Sequence, residues 1–181
     1  MSEYLEKVSV LIVDDQDFIR LVLRQVLNAL GCKNIKDAVN GSDAWNVAVA
    51  MNPDIIITDW EMKPTNGLEL THRLRTDPHS ANPFVPIIMV TGHGEVERVM
   101  EARDKGVNEY VIKPLSAKSL FSRIHTVIEH PRDFVRIRSY FGPDRRRRPT
   151  PVSNDRRTTT TVIDAQDYLE RDELITKIRV G

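Results

Sequence analysis

Residues 54–59, Asp-Ile-Ile-Ile-Thr-Asp, decide the fold of this 181-residue chain. They form an apolar, β-branched run between two acids, and a run of this kind is typical of a strand that is covered on both faces. Residues 8–13 (Val-Ser-Val-Leu-Ile-Val) and 86–90 (Pro-Ile-Ile-Met-Val) have the same character. We interpret the three runs as the third, first and fourth strands of one parallel sheet.

Amphipathic stretches fill the intervals between these strands. Apolar residues at spacings of three and four predict helices, and weaker apolar segments at 34–39 and 107–112 predict the second and fifth strands. The helices are predicted over residues 18–30, 42–51, 68–75, 96–105 and 117–129. Five βα units joined by right-handed crossovers give an α/β fold, a doubly wound five-stranded parallel sheet with helices on both faces.

Polar residues at the helix ends support these boundaries. Asp17 is predicted to cap the first helix, Ser42 or Asp43 the second and Ser116 the fifth. Gly31 follows the first helix, in the place where a left-handed residue commonly ends one.

The composition argues against a membrane protein. Hydrophobic residues make up 40% of the chain and charged residues 29%, and no apolar run approaches the ~20 residues that span a bilayer. The first residues lack the features of a secretory signal, so the cytoplasm is the expected compartment. The lone cysteine, Cys32, is predicted to be a small buried hydrophobe rather than a redox centre.

Acidic residues follow two of the predicted strands directly. Asp14 and Asp15 end the first strand and Asp59 ends the third, and ligands of doubly wound sheets bind at the carboxyl ends of the strands. If the two strands are neighbours, three carboxylates meet at one edge and repel one another. A hard divalent cation with oxygen ligands relieves this repulsion, and Mg²⁺ fits such a site.

Two further side chains are expected at the same edge. Lys113 ends the fifth strand and can pair with a carboxylate or a phosphoryl oxygen, while Thr91 ends the fourth and offers a hydroxyl donor. An acidic pair after a strand is also a common helix cap. The joint occurrence of acids, hydroxyl and lysine at the ends of four strands nevertheless favours a functional site.

The motifs around these residues resemble those of receiver domains in two-component signalling, over roughly residues 7–130. The resemblance rests on these segments: 11–15 (Leu-Ile-Val-Asp-Asp), 56–62 (Ile-Ile-Thr-Asp-Trp-Glu-Met), Gly67, 89–92 (Met-Val-Thr-Gly) and 110–114 (Tyr-Val-Ile-Lys-Pro). One departure is Lys63 between Met62 and Pro64, where the family usually has proline directly. Glu61 adds another carboxylate near the pocket.

The resemblance implies a flavodoxin-like strand order, 2-1-3-4-5, and a chemistry. Asp59 would accept a phosphoryl group from a sensor histidine kinase or phosphotransfer protein. Mg²⁺ would be held by Asp14, Asp15, Asp59 and the main-chain carbonyl of Glu61, and Lys113 would contact the phosphoryl group.

The resemblance also implies a switch that acts on a downstream protein target. The phosphoryl oxygens would draw Thr91 inward, and Tyr110 would rotate into the space that Thr91 leaves. The face formed by the fourth helix, fifth strand and fifth helix would then change shape.

The composition changes after Pro131. We therefore divide the chain into a receiver domain, residues 1–131, and an arginine-rich tail, residues 132–181, which is largely irregular and partly disordered. Residues 132–140 alternate enough to dock against a surface, and a short helix is predicted over 165–178. Residues 132–157 carry nine arginines against three acids, a net charge of +6.

The tail arginines are candidates for binding a phosphate-bearing ligand, because the planar guanidinium pairs bidentately with phosphate. The candidates are Arg145, Arg146, Arg147, Arg148, Arg156 and Arg157. The open alternatives are a cyclic dinucleotide, nucleic acid, an acidic protein surface or no ligand, as in a solvated linker. Cyclic di-GMP ranks first, since the tail resembles arginine-rich extensions of CheY-like proteins that bind it and engage the flagellar motor, which suggests chemotaxis. Nucleic acid ranks below it, because about 50 residues are few for a winged-helix domain.

A rival interpretation is an enzyme, namely a Mg²⁺-dependent phosphatase or hydrolase on a doubly wound fold. Such an enzyme needs a substrate pocket and a separate acid or base, and the sequence has no cap insertion to build them. The chain is therefore predicted to catalyse only its own phosphoryl transfer and dephosphorylation.

Overall fold

A computed structural model describes residues 5–92, 94–137 and 139–145, together with the backbone of 161–163. Its main sheet has the strands β1 Ser9–Val13, β2 Asn34–Ala38, β3 Ile55–Asp59, β4 Ile87–Thr91 and β5 Glu109–Ile112. All neighbours pair in parallel, in the order β2-β1-β3-β4-β5. This confirms the predicted flavodoxin-like sheet.

The predicted helices are present, with ends within one or two residues of those expected. They are α1 Asp17–Ala29, α2 Gly41–Met51, α3 Gly67–Thr76, α4 Val96–Asp104 and α5 Ala117–Glu129. Ser116 caps α5 as predicted, and Gly31 follows α1 with φ of 102°.

Two predicted caps are wrong. The α2 cap is Asn40, whose side-chain oxygen accepts from the N–H groups of Ser42 and Asp43, so these two residues lie inside the helix. At α1 the N-cap is Gln16, without a side-chain hydrogen bond, and Asp17 pairs with Arg20 one turn later. In both helices the side chain proposed as a cap lies one to three residues too far along the chain.

The core consists of two apolar layers on opposite faces of the sheet, because successive strand residues point to opposite sides. One layer joins Leu11, Ile56 and Met89 to buried residues of α2, α3 and α4. The other joins Ile12, Ile57 and Val90 to α1 and α5. Strands covered in this way are apolar throughout, as the runs in the sequence predicted.

The first part of the tail is a β-hairpin that packs on the receiver domain. Strands β6 Phe134–Ile137 and β7 Tyr140–Pro143 pair antiparallel, and β8 Thr161–Ile163 pairs with the other edge of β6. The rings of Phe134 and Phe141 lie 5.0 and 5.1 Å from that of Phe84, in the segment before β4. The predicted docking of residues 132–140 is confirmed, whereas the predicted helix over 165–178 lies outside the described residues.

Cys32 is buried, as predicted, and burial raises the pKa of its thiol to about 11. Within the described part of the chain, none of the helices is long and apolar enough to cross a membrane.

Candidate functional site

Three charged side chains converge at the carboxyl edge of the main sheet. Asp14 follows β1, Asp59 ends β3 and Lys113 follows β5. The Lys113 ammonium donates to Asp59 Oδ1 at 2.9 Å and to Asp14 Oδ2 at 3.2 Å. Both carboxylates are buried, and the lysine side chain keeps 22% of its surface exposed. The strand order therefore brings together residues that are up to 99 positions apart in the sequence.

Burial and charge act in opposite directions on these groups. Burial raises the pKa of Asp59, although the Lys113 ammonium and the Trp60 N–H favour its charged form. Burial would lower the pKa of Lys113, but the hydrogen bonds and charges of Asp59 and Asp14 outweigh it, and the net direction is upward. Lys113 is thus a fixed positive charge beside Asp59 at neutral pH.

Main-chain groups fix the remaining carboxylate oxygens. Asp59 Oδ2 accepts the Glu61 N–H at 3.1 Å, and Asp14 Oδ1 accepts the Gln16 N–H at 2.9 Å. Gly67, at the start of α3, lies against the main chain of Asp59, and a Cβ added there would come within 2.1 Å of the Asp59 carbonyl oxygen. Only glycine fits this approach, which explains its place in the motif.

The expectation that three carboxylates meet is realised for two of them. Asp14 and Asp59 face the same ammonium, whereas Asp15 is exposed. Among the residues that the structure describes, no group of three or more His, Cys, Asp and Glu side chains is arranged to hold a metal ion. Mg²⁺ is usually held by one or two carboxylates with water and phosphate oxygens, so the two converging carboxylates fit that ion. The roles of Asp15 and of the Glu61 carbonyl stay predictions.

The two predicted switch residues are in contact beside this pocket. Thr91 is buried at the end of β4, and its side chain forms a hydrogen bond with the phenol of Tyr110 on β5. Burial is the main cause that raises the pKa of Tyr110. The Tyr110 ring meets Trp60 edge-on at 6.4 Å, and the guanidinium of Arg98 lies 5.1 Å from the Trp60 ring centre. Through Trp60, the residues around Asp59 are therefore in contact with Arg98 of α4.

Of the six tail arginines, the structure describes one. Arg145 donates to Asp104 Oδ1 at 2.9 Å, and its guanidinium lies 4.6 Å from the ring centre of Tyr140. It is therefore engaged with the end of α4 and with the hairpin. Arg146, Arg147, Arg148, Arg156 and Arg157 lie outside the described residues.

Sequence reasoning missed a second buried cation, Arg75 near the end of α3. Its guanidinium donates to Pro83 O at 2.7 Å, to Gly106 O at 3.0 Å and to Asn108 Oδ1 at 2.9 Å. The Phe134 ring covers it at 5.1 Å. The signal was present, because Arg75 follows Leu68 and Thr71 on the buried stripe of α3 at helical spacing.

Comparison with known proteins extends this description. The family profile described as the response regulator receiver domain matches residues 10–125. Chemotaxis protein CheY1 of Helicobacter pylori is 36% identical over 120 residues, which cover 65% of this chain and 94% of that protein. Chemotaxis protein CheY4 of Vibrio cholerae aligns in three dimensions with a TM-score of 0.61 and 28% identity, over 66% of this chain and 98% of that one.

A further similar structure is the CheX-CheY-BeF3-Mg+2 complex from Borrelia burgdorferi. It aligns with a TM-score of 0.59 and 26% identity, over 66% of this chain and 88% of the other. The profile match ends at residue 125, so the hairpin that covers Arg75 lies beyond it.

Proposed function

This chain belongs to the response regulator receiver domain family, and from that membership we propose that Asp59 accepts a phosphoryl group. The observation that carries the proposal is the contact of 2.9 Å between the buried Asp59 carboxylate and the half-buried Lys113 ammonium at the carboxyl edge of the sheet. The donor is a phosphohistidine of a sensor histidine kinase or of a phosphotransfer protein.

The reaction is a displacement at phosphorus. A carboxylate oxygen of Asp59 forms the new O–P bond, the N–P bond of the phosphohistidine breaks, and the imidazole leaves with the electron pair and takes up a proton. An aspartate is a weak nucleophile towards an anionic phosphoryl group, so nearby positive charge is required. Lys113 supplies it by pairing with the phosphoryl oxygens.

Mg²⁺ would be held by Asp14, Asp15, Asp59 and the Glu61 carbonyl, where it supplies further positive charge for the phosphoryl oxygens. Asp14 and Asp59 already converge on one cation in the structure, which supports this assignment. The similar Borrelia burgdorferi complex contains a CheY with BeF3 and Mg.

The output is contact with a downstream protein through the face formed by α4, β5 and α5. Once Asp59 carries the phosphoryl group, Thr91 hydrogen-bonds to it rather than to Tyr110, and Tyr110 repacks. Apolar side chains are exposed on this face, as in a surface that binds protein: Val96, Val99, Met100 and Ile112.

Because the similar proteins are chemotaxis regulators, a role in chemotaxis or flagellar motor control is the first one to test. The cytoplasmic location predicted from the sequence is part of the same proposal.

We propose further that the chain does not turn over unrelated phosphoesters as a phosphatase or hydrolase would. The test is incubation with acetyl phosphate and, separately, with p-nitrophenyl phosphate. The expected result is at most one phosphoryl group per chain, located at Asp59 by tandem mass spectrometry and abolished by EDTA. Many turnovers of p-nitrophenyl phosphate would instead identify an enzyme.

For the tail we propose binding of cyclic di-GMP. The supporting observation is that Arg145, at the beginning of the arginine run, is held against the Tyr140 ring, where a phosphate of the ligand would replace Asp104 as its partner. Calorimetry of the full chain should give saturable heat with cyclic di-GMP, and a variant with Arg145 to Arg148 replaced by glutamine should give none. Equal heats in the two chains would remove this proposal, and salt-sensitive retention of duplex DNA would favour nucleic acid instead.

A further inference from the structure

The helix α4 is weakly anchored in the core. Ala102 is its one buried residue, whereas the neighbouring α3 buries six. A helix that buries so little apolar surface gains little from packing. Its position therefore depends on the contacts that hold its two ends.

At its C-terminal end α4 is held by the hairpin of residues 132–145, which we call the strap. Arg145 of the strap donates to Asp104, the last residue of α4, at 2.9 Å. Gly142 packs on the turn that follows α4, since a Cβ added there would lie 3.0 Å from the Gly106 Cα. The carbonyl of Gly106 in turn accepts two hydrogen bonds from Arg75, under Phe134 of the strap.

Nearer its N-terminal end α4 meets the phosphoacceptor pocket. Arg98 lies over the ring of Trp60, which directly follows Asp59 and contacts Tyr110. A change at Asp59 and a change in the strap thus act on the same helix from opposite ends. Coupling between two sites requires such a shared element with more than one arrangement.

We propose that the strap holds α4 in the arrangement of the unphosphorylated chain and so opposes phosphorylation at Asp59. This inference rests on the proposed function of Asp59. The contacts just described are those of the unmodified chain, so they stabilise that arrangement relative to any in which α4 has moved. Loss of the Asp104–Arg145 pair should favour the phosphorylated arrangement by the free energy with which the pair stabilises the unphosphorylated one.

The test compares Asp104→Asn, Arg145→Gln and the double variant in the full chain. The probe is beryllofluoride with Mg²⁺, and binding is followed through the fluorescence of Trp60 in a Trp45→Phe background. Each single variant should bind about two- to five-fold more tightly than the parent, the range expected for one exposed ion pair. The gain in the double variant should be smaller than the sum of the two single gains, because both substitutions remove the Asp104–Arg145 contact.

The matched control is Asp37→Asn, which breaks the Arg24–Asp37 pair at 2.7 Å, about as exposed as Arg145–Asp104 but remote from α4. It should leave beryllofluoride affinity unchanged. Unchanged or weaker binding in the strap variants would overturn the proposal, as would an equal gain in the control.

A second measurement does not depend on phosphorylation. Hydrogen exchange of the amides of Val96–Asp104 in the unliganded chain should be faster in Asp104→Asn than in Asp37→Asn. Faster exchange together with no beryllofluoride binding in any variant would retain the strap contact but reject Asp59 as phosphoacceptor, and with it the coupling. Identical exchange in the two variants would reject the strap itself.

Discussion

A half-buried lysine and a buried arginine lie at opposite edges of the same sheet, and they are held in different ways. At the carboxyl edge Lys113 pairs with two carboxylates and keeps 22% of its side-chain surface exposed. At the amino edge Arg75 is 3% exposed, and no carboxylate of the described residues pairs with it; its partners are main-chain and amide oxygens. Burial lowers the pKa of Arg75 to about 9, which leaves it charged at pH 7.

This difference indicates that the carboxyl edge is suited to the proposed chemistry, whereas the contacts at the amino edge are structural. The charge of Lys113 is compensated by acids that a phosphoryl group can replace, and solvent reaches it. The charge of Arg75 is dispersed over oxygens that belong to the main chain, under a cover of aromatic rings. The contacts of Lys113 therefore support the carboxyl edge as the place of the proposed phosphoryl transfer, and the amino edge attaches the strap.

The largest effect on stability is expected from the aromatic cover of the structural edge. Phe134→Ala should lower the free energy of unfolding by about 3–5 kcal/mol, because Phe134 is 3% exposed and its removal leaves a cavity. The control Phe18→Ala removes a ring that is 71% exposed and should cost less than about 0.5 kcal/mol. Urea unfolding of the full chain measures both. Equal values would mean that the strap does not share the core of the receiver.

At the reactive edge the expected effect is on rate. Lys113→Met should slow the phosphorylation of Asp59 by acetyl phosphate by about 100-fold, the lower range for loss of one electrostatic contact in an active site. The time course of the intact mass gives the rate. A rate within about two-fold of that of the parent chain would show that Lys113 has no part in the transfer.

A smaller loss of stability is expected when the planar guanidinium of Arg75 is replaced by an ammonium. Arg75→Lys keeps the charge, but an ammonium cannot reach Pro83 O, Gly106 O and Asn108 Oδ1 together, and we expect a loss of about 2 kcal/mol in stability with normal phosphorylation. Arg73→Lys, two residues earlier on the exposed side of α3, should cost less than about 1 kcal/mol. If the two variants unfold at the same urea concentration, charge alone accounts for Arg75.

The last effect depends on pH and on the buried thiol of Cys32. Its pKa is raised from 9.0 to about 11, so the folded state holds the proton more tightly than the unfolded state. The thiol contribution to stability is therefore fully present below pH 9 and is lost as the pH rises from 9 to about 11. Cys32→Ser should weaken this part of the pH profile in urea unfolding between pH 8 and 11. The same slope in both chains would assign it to other groups.

The features that the sequence predicted are those whose signal lies within one short segment of the chain. Continuous apolar runs such as residues 54–59 identified the strands. The motifs predicted that Asp14, Asp59 and Lys113 lie together, and in the structure the Lys113 ammonium contacts both carboxylates. Strand order came from the resemblance, because periodicity does not show which strands pair.

The features that the sequence did not predict depend on contacts between distant segments. The helical spacing placed Arg75 on the buried stripe of α3, but the oxygens at Pro83 and Gly106 that accept its hydrogen bonds come from distant segments, and arginine on a helix is usually exposed. The caps failed for a more local reason. Asn40 precedes Ser42 and Asp43, and it caps α2 because its backbone is extended, a conformation that composition does not reveal.

The central claim is that the chemistry takes place at the carboxyl edge of the sheet and not at the amino edge, and β3 has a carboxylate at each end to test it. Asp59 ends the strand, and Asp54, just before it, accepts hydrogen bonds from the N–H and hydroxyl groups of Ser9. Asp59→Asn and Asp54→Asn make the same chemical change at the two ends. With acetyl phosphate and Mg²⁺ we predict that Asp54→Asn is labelled as the parent chain is and that Asp59→Asn is not labelled at all. Labelling of Asp59→Asn to the level of the parent would contradict the account.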